Sequence, residues 1–113
     1  MPVLKKNESV PEKISPVLDR RLVHLDNLMV VVCDFSHGPM AEPDKPHNHP
    51  HEQITYVAEG ELYFFIGEEK HRLTEGDLVT IPSGIFHSIQ TISRNVRLID
   101  SFTPVRSDFL KKD

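Results

Sequence analysis

The sequence predicts an all-β domain, built as a sandwich or barrel, for three reasons. From residue 17 onward the chain reads as short apolar or alternating runs separated by turn residues, which is typical of such folds. No segment of adequate length repeats its apolar residues with the period of a helix. The length of 113 residues suits one domain with one core and is too short for two. We therefore expect residues 1–16 to form an N-terminal arm or edge strand and residues 17–113 to form the β-barrel domain.

The predicted elements follow one another in order along the chain. Residues 1–16 are polar, hold three prolines and show no clear period. Strands are predicted after them over residues 22–25, 28–35, 53–58, 61–66, 70–73, 78–81, 86–90 and 96–102. Turn residues separate these strands, and the clearest turns are Glu59-Gly60, Gly67-Glu68-Glu69, Glu75-Gly76-Asp77 and Pro82-Ser83-Gly84. Residues 107–112 can make one helical turn and no more.

Composition and charge exclude several classes of function. The chain carries a formal net charge of −4 and no dense Lys/Arg cluster, which argues against binding nucleic acid. No apolar run approaches the roughly 18 residues that a membrane span requires. Polar residues follow directly after Leu4, so the apolar part of a secretory signal is not expected. We expect a cytoplasmic protein whose partners are small molecules.

The single cysteine, Cys33, lies within an apolar run and cannot form an internal disulfide. A buried, unreactive thiol is the interpretation that this setting favours. A catalytic nucleophile is the alternative, but nothing near this cysteine in the sequence suggests an activated thiolate.

Histidines are unusually frequent in one short stretch. The chain holds seven, and four of them fall within residues 37–51: His37, His47, His49 and His51. Alternate side chains of an extended chain point to the same face, so two of these imidazoles can bind one metal ion. A histidine-rich surface loop is the alternative that this cluster alone leaves open.

Two spaced motifs favour the metal site over the surface loop. They run His47-x-His49-x3-Gln53-x6-Gly60 and Gly76-x5-Pro82-x-Gly84-x2-His87. Over residues 47–87 both closely resemble the motifs of the cupin family. The resemblance implies a single-domain cupin double-stranded β-helix, a jelly-roll-like β-barrel with a divalent metal ion in its mouth. It also implies the ligands, which are His47, His49 and His87, with Gln53 at the position of the usual acid.

The amide of Gln53 is the largest departure from the cupin pattern. It replaces an anionic ligand with a neutral carbonyl, so a divalent ion keeps its full positive charge. This favours Lewis-acid chemistry on an anionic ligand and disfavours higher oxidation states. The resemblance leaves the identity of the ion open among Ni, Zn, Fe and Mn.

A narrower resemblance, to small single-domain cupins of pectin degradation, is carried by the tail of the chain. The segment Asp100-x-Phe102-x-Pro104-x-Arg106-x-Asp108 is similar to the ending of that group. The resemblance implies that Asp100, Phe102 and Arg106 line a pocket over the metal. The residues permit this, because Asp100 and Phe102 share one face of the last predicted strand.

Each further site residue has a functional and a structural interpretation. Asp100 is a candidate acid/base, and the alternative is an acid that anchors Arg106 or the strand end. Arg106 suits a sugar carboxylate, and the alternative is a surface ion pair with Asp108. Met40 can cap the pocket and contact substrate, or it can be a packing residue. His51 lies an even number of residues from His47 and His49, so its side chain should point to the same face, but the cupin motif has no ligand at this position. We therefore expect it at the rim of the site, near substrate.

Three functions compete for this site. The resemblance implies a metal-dependent enzyme that opens the ring of unsaturated uronic acids released from pectin or alginate. A non-catalytic metal-containing module that binds a sugar or effector is the first alternative, because fold does not fix function. A small cupin dioxygenase is the second. An acid placed for proton transfer distinguishes the enzyme from the binding module.

A homodimer is also expected. The N-terminal arm offers an extra strand, and small barrels of this kind commonly close exposed sheet edges by pairing.

Overall fold

The computed structural model describes residues 3–110, which form nine strands and two short helical turns. The strands are β1 (Glu12–Ser15), β2 (Leu18–His24), β3 (Met29–Phe35), β4 (Glu52–Glu59), β5 (Leu62–Ile66), β6 (Glu69–Leu73), β7 (Leu78–Ile81), β8 (His87–Thr91) and β9 (Val96–Thr103). A 3₁₀ turn covers Lys6–Glu8, and the one-turn helix α1 covers Ser107–Leu110. No helix within residues 3–110 is both long and apolar enough to cross a bilayer.

The strands pair in two antiparallel sheets. The larger sheet has six strands in the order β1-β2-β3-β9-β4-β7, and the smaller has three in the order β6-β5-β8. The prediction of an all-β cupin barrel is confirmed by this arrangement. Strand β9, the last in the chain, lies between β3 and β4 near the middle of the larger sheet.

The core lies between the two sheets, and the alternation of side chains explains how it forms. In β4 buried and exposed residues alternate, with Gln53, Thr55 and Val57 facing inward. The largest fully buried apolar side chains come from both sheets: Phe64, Met29, Leu62, Ile81, Val31, Val57 and Val96. The inward face of β4 changes from apolar at Val57 to polar at Gln53, so one end of the barrel is a packed core and the other is polar.

The bounds of the predicted strands differ from those of the structure by at most one residue, except at the start of β2. Strand β2 begins at Leu18, four residues before the predicted start at residue 22. The sequence did not predict the early part of this strand because it contains the charged residue Arg20. The side chain of Arg20 is nevertheless largely buried against the ring of Phe109. The final helical turn ends at Leu110, and residues 111 and 112 of the predicted turn lie outside the described residues.

Gly60 fixes the connection between β4 and β5. Its φ of +88° is a left-handed conformation that disfavours side chains, and an added Cβ would lie 2.2 Å from the carbonyl oxygen of Asn95. Glycine at this turn therefore lets the β4–β5 connection pack closely against the chain that leads into β9.

Candidate metal centre

Backbone hydrogen bonds join the two segments of the chain that carry the histidine motifs. The His47 amide donates to the His87 carbonyl at 3.0 Å, and the His87 amide donates back at 2.9 Å. The Gly84 amide donates to the His49 carbonyl at 2.8 Å, from a residue whose φ of +82° favours glycine. The loop before β4 and the turn before β8 are thus held together, and their imidazoles face one point.

The side chains of His47, His49 and His87 form one cluster. One ligand atom from each lies within 4.8 Å of the other two. The rings of His49 and His87 are buried, whereas His47 is exposed at the mouth of the barrel. This spacing is within reach of a single divalent ion, whose bonds to imidazole nitrogen are about 2.1 Å long.

The Nδ1 atoms of two of these rings lie within hydrogen-bonding distance of backbone carbonyl oxygens. The Nδ1 atom of His87 lies 2.9 Å from the carbonyl of Ile85, and Nδ1 of His49 lies 3.0 Å from the carbonyl of His51. A carbonyl oxygen only accepts, so each Nδ1 carries the proton and each Nε2 presents a lone pair. This is the tautomer that a metal ligand requires.

An unpaired buried nitrogen shows that the cluster fits a metal ion. Among the residues that the structure describes, Nε2 of His87 is buried and has no hydrogen-bond partner. A buried lone pair without a partner is costly, and a metal ion would satisfy it. Burial lowers the pKa of His87 to about 4 and also lowers that of His47, so both rings are neutral near pH 7, as ligands must be.

Gln53 points its amide oxygen toward the same cluster. Its Oε1 lies 3.1 Å from Nε2 of His49, and its Nε2 donates to the hydroxyl of Thr55 at 2.9 Å. With the His49 tautomer described above, Oε1 and Nε2 are both acceptors, and a cation between them is the partner that satisfies both. The four predicted ligands therefore converge, and their donor set of three imidazoles and one neutral amide oxygen suits a divalent ion.

A cavity of about 310 Å³ opens beside this cluster. Its lining includes His47, Gln53 and His87, together with the predicted site residues Asp100, Phe102 and Arg106. Three of the four sequence-predicted ligands and the tail residues thus meet at one cavity, although 13 to 59 residues separate them in the chain.

Asp100 lies beside the cavity in β9, paired with Thr55 of β4. Its Oδ1 accepts a hydrogen bond of 2.6 Å from the Thr55 hydroxyl, and its Oδ2 lies 3.7 Å from the sulfur of Cys33. Burial raises the pKa of Asp100 above its ordinary value, and the bond from Thr55 opposes this only in part. A carboxyl with a raised pKa at a cavity wall is suited to exchanging protons.

Arg106 reaches the cavity from the segment before α1. Its side chain is only 15% exposed, and its guanidinium donates to Asp108 at 2.9 Å. It also lies over two rings, 4.0 Å from the centroid of Phe109 and 5.2 Å from that of Phe102. Arg106 therefore forms the ion pair with Asp108 and also lines the cavity. Within residues 3–110 Asp100 forms no ion pair with Arg106, and its carboxyl interacts instead with Thr55, Cys33 and Gln53.

Two predicted contact residues do not line the cavity. Met40 packs against the apolar core, and its backbone bonds to Thr91. This placement agrees with the packing interpretation rather than with a cap over the pocket. His51 lies behind the ligand His49, with ring centroids 5.3 Å apart, and its carbonyl accepts the Nδ1 proton of that ligand. Its position therefore supports the orientation of His49.

Sequence reasoning missed three residues of the site. Thr55 is fully buried between Gln53 and Asp100, and its position two residues after Gln53 on one strand was the signal for it. Lys45 lines the cavity from the proline-rich loop, where no periodicity indicates direction. Phe109 lies in the short tail helix, and nothing local in the sequence shows where that helix packs.

Comparisons with known proteins show the family of the chain. A family model described as the cupin domain matches residues 33–102. The pectin degradation protein KdgF of Dickeya dadantii is 33% identical over 106 residues, which cover 92% of this chain and 94% of that protein. The solved structure of KdgF from a Halomonas species superposes with a TM-score of 0.84 at 30% identity, covering 93% of this chain and 96% of that one.

An acireductone dioxygenase of Candida albicans is 32% identical over 76 residues, or 61% of this chain and 43% of the dioxygenase. The predicted resemblance to small cupins of pectin degradation is confirmed by the KdgF matches, which extend over nearly the whole of both chains.

Proposed function

The chain belongs to the cupin domain family, and from that premise we propose that it is a metal-dependent enzyme that opens the ring of an unsaturated uronic acid. The likeness to KdgF of Dickeya dadantii, a pectin degradation protein, and to KdgF of a Halomonas species supports this substrate class. A cytoplasmic location, as expected from the sequence, is part of this proposal.

One observation carries the proposal, which is that Asp100 and Arg106 line the same cavity as His47 and His87. An acid, a cation and the candidate ligands therefore surround one space of about 310 Å³, within the usual range for a small-molecule site. A module that only binds a sugar needs the cation and the ligands but has no use for the acid.

The candidate ligands and Arg106 account for binding. His47, His49, His87 and the oxygen of Gln53 would hold the ion, which when bound supplies a Lewis acid next to the oxygens of the sugar. The planar guanidinium of Arg106 can form paired hydrogen bonds to a carboxylate. Its ion pair with Asp108 and its two aromatic neighbours fix the direction in which it presents these donors.

Asp100 accounts for the proton transfers. The ring form is a cyclic hemiacetal, so opening removes the proton of its hydroxyl, breaks the bond from carbon 1 to the ring oxygen and leaves an aldehyde. The released oxygen, on carbon 5 of the double bond between carbons 4 and 5, is then that of an enolate, which becomes a ketone when carbon 4 gains a proton. The carboxylate of Asp100 takes the first proton and returns one to carbon 4, so no proton is gained or lost overall.

The proposal is tested with the purified chain loaded with Zn²⁺ or Ni²⁺ and an unsaturated uronate prepared with a polysaccharide lyase. We expect the ultraviolet absorbance of the conjugated double bond to fall faster with the wild-type protein than with Asp100→Asn at equal metal content. Tight binding of the uronate without faster loss of absorbance would instead assign the chain as a binding module.

We also propose that the protein is a homodimer. The outer face of β4 and β7 is apolar, with Ile54, Tyr56 and Leu78 being 51%, 40% and 66% exposed. Tyr56 and Leu78 are paired across the two strands, so their side chains form one continuous patch. An apolar patch on a sheet face favours coverage by a second copy of the chain.

A further inference from the structure

A row of three hydrogen-bonded side chains connects the candidate metal centre to the acid of the cavity. Gln53 donates from its amide nitrogen to Thr55 Oγ1 at 2.9 Å, and Thr55 lies 2.6 Å from Asp100 Oδ1. The amide oxygen of Gln53, at the other end of this row, lies 3.1 Å from Nε2 of His49. Gln53 and Thr55 are both buried, Thr55 completely, so water does not replace these partners.

The direction of each bond in this row is fixed by the number of protons available. In its ionised form the carboxylate of Asp100 only accepts, so the Thr55 hydroxyl, whose oxygen lies 2.6 Å from Asp100 Oδ1, gives its one proton to Asp100. The remaining capacity of the Thr55 oxygen is to accept. The group of Gln53 that faces it must therefore be the donor, which is the amide nitrogen.

We propose that Thr55 is a positioning residue that decides which end of the Gln53 amide faces the metal. The inference rests on the proposed metal site. With the nitrogen held by Thr55, the oxygen is the end presented to the ion, and amide oxygen rather than amide nitrogen is a metal ligand. Without the hydroxyl, the amide nitrogen loses the acceptor 2.9 Å away that holds it on this side, and the amide can turn to present N–H groups to the ion.

The same reasoning accounts for an amide at position 53 where related motifs carry an acid. A glutamate there would place two carboxylates on the Thr55 hydroxyl, which has one proton to give. One of the two would be left buried without a donor, at considerable cost. Gln53 and Asp100 are thus a matched pair, with one donating to Thr55 and the other accepting from it.

Metal affinity tests the role of Thr55 without reference to turnover. Zn²⁺ affinity is measured by competition with a chromophoric chelator for the wild type, Thr55→Val, Thr55→Ser and the matched control Thr91→Val, which removes another buried hydroxyl. We expect Thr55→Val to bind Zn²⁺ about 10-fold to 100-fold more weakly, the usual effect of removing a group that orients a ligand. Thr55→Ser and Thr91→Val should stay within about 3-fold of the wild type, since neither changes the orientation of the amide.

The Gln53→Glu background separates positioning from packing. A carboxylate presents an oxygen in either orientation, so adding Thr55→Val to Gln53→Glu should change Zn²⁺ affinity by less than about 3-fold. An equal loss in both backgrounds would show that the hydroxyl serves packing alone and would overturn the inference. An unchanged Zn²⁺ affinity in Thr55→Val would also overturn the inference, although the metal site itself would remain established. A wild type that binds no Zn²⁺ would overturn both this inference and the proposed function.

Nuclear magnetic resonance of the unaltered protein gives a second test, should Thr55→Val not fold. The side-chain amide protons of Gln53 should remain visible after Zn²⁺ is added, and one of them should exchange slowly with solvent because it is bonded to Thr55. Rapid exchange of both protons in the Zn²⁺-loaded protein would overturn the inference.

Discussion

The guanidinium carbon of Arg106 lies 4.0 Å from the centroid of the Phe109 ring. The guanidinium of Arg20 lies over the same ring at 3.9 Å, so Phe109 contacts two cations at once. The ring belongs to the short helix α1, while Arg20 belongs to β2 near the start of the barrel. Cation–π contacts thus attach the end of the chain to the barrel and steady the arginine that faces the cavity.

Phe109→Ala should weaken substrate binding more than it slows the reaction. Loss of a contact worth about 1 to 2 kcal/mol corresponds to a rise in KM of about 5-fold to 30-fold, with kcat changed much less. Steady-state kinetics on an unsaturated uronate measure both. Phe65→Ala is the matched control, because Phe65 also lies near a cation, Lys70, but does not line the cavity. Equal effects of the two variants on KM would show that Phe109 has no specific role in substrate binding.

Arg106→Ala and Asp100→Asn should impair the enzyme in different ways. In the proposed mechanism Arg106 holds the substrate carboxylate throughout the reaction, so its loss should raise KM by about 10-fold to 100-fold. Asp100→Asn removes proton transfer and should lower kcat by about 100-fold to 10,000-fold. Metal content, determined by mass spectrometry, should be unchanged in both. Arg97→Ala serves as control, since Arg97 pairs with Asp34 and does not line the cavity. Near-wild-type kcat in Asp100→Asn would rule out its catalytic role.

His87→Ala should reduce metal content and activity together, because it removes a candidate ligand. The loaded wild type should also unfold at a higher temperature than the metal-free protein, since a ligand at 100 times its Kd stabilises the folded state by about 2.7 kcal/mol. Calorimetry with and without a chelator measures this difference. The control is His71→Ala, which alters an exposed histidine paired with Glu69. A chelator effect of full size in His87→Ala would place the ion elsewhere.

The raised pKa of Asp100 makes a prediction about stability and pH. Between the ordinary pKa of 3.8 and the raised value, the folded protein keeps a proton on Asp100 that the unfolded chain has lost. Stability therefore falls as pH rises through this window, by at most about 1.4 kcal/mol for each pH unit. Asp100→Asn has no carboxyl to titrate at this position. The free energy of unfolding of the metal-free variant should therefore increase relative to that of the metal-free wild type as pH rises. Urea unfolding at several pH values measures the difference. A constant difference would show that the acid has its ordinary pKa.

The dimer is tested by sedimentation. The wild type should sediment as a dimer at micromolar concentration, and Leu78→Glu should sediment as a monomer because it places a charge within the apolar patch. Circular dichroism checks that the variant is folded. A wild-type monomer at this concentration would contradict the proposal.

The sequence allowed the fold and the ligand cluster to be predicted because both depend on local patterns. Alternation indicated the strands, and the resemblance of two spaced motifs to those of the cupins implied that His47, His49, Gln53 and His87 meet at one point. The role of Phe109 depends instead on where a short tail packs, which involves contacts with Arg20 about 90 residues away. No short-range pattern carries that information. Thr55 falls between these cases, because its position in β4 follows from alternation while its partner Asp100 follows only from the pairing of β4 with β9.

The central position of β9 has a consequence for how the protein acquires its activity. This strand supplies Asp100 and Phe102, it is synthesised after the other eight described strands, and it pairs with both β3 and β4. Until it arrives, β3 and β4 have no partner on that side, and the larger sheet cannot be completed. Pairings of such long sequence separation fold slowly, because the chain must close large loops before the contacts form. We therefore expect a chain that stops before β9 to form neither the complete larger sheet nor the cavity wall that carries Asp100.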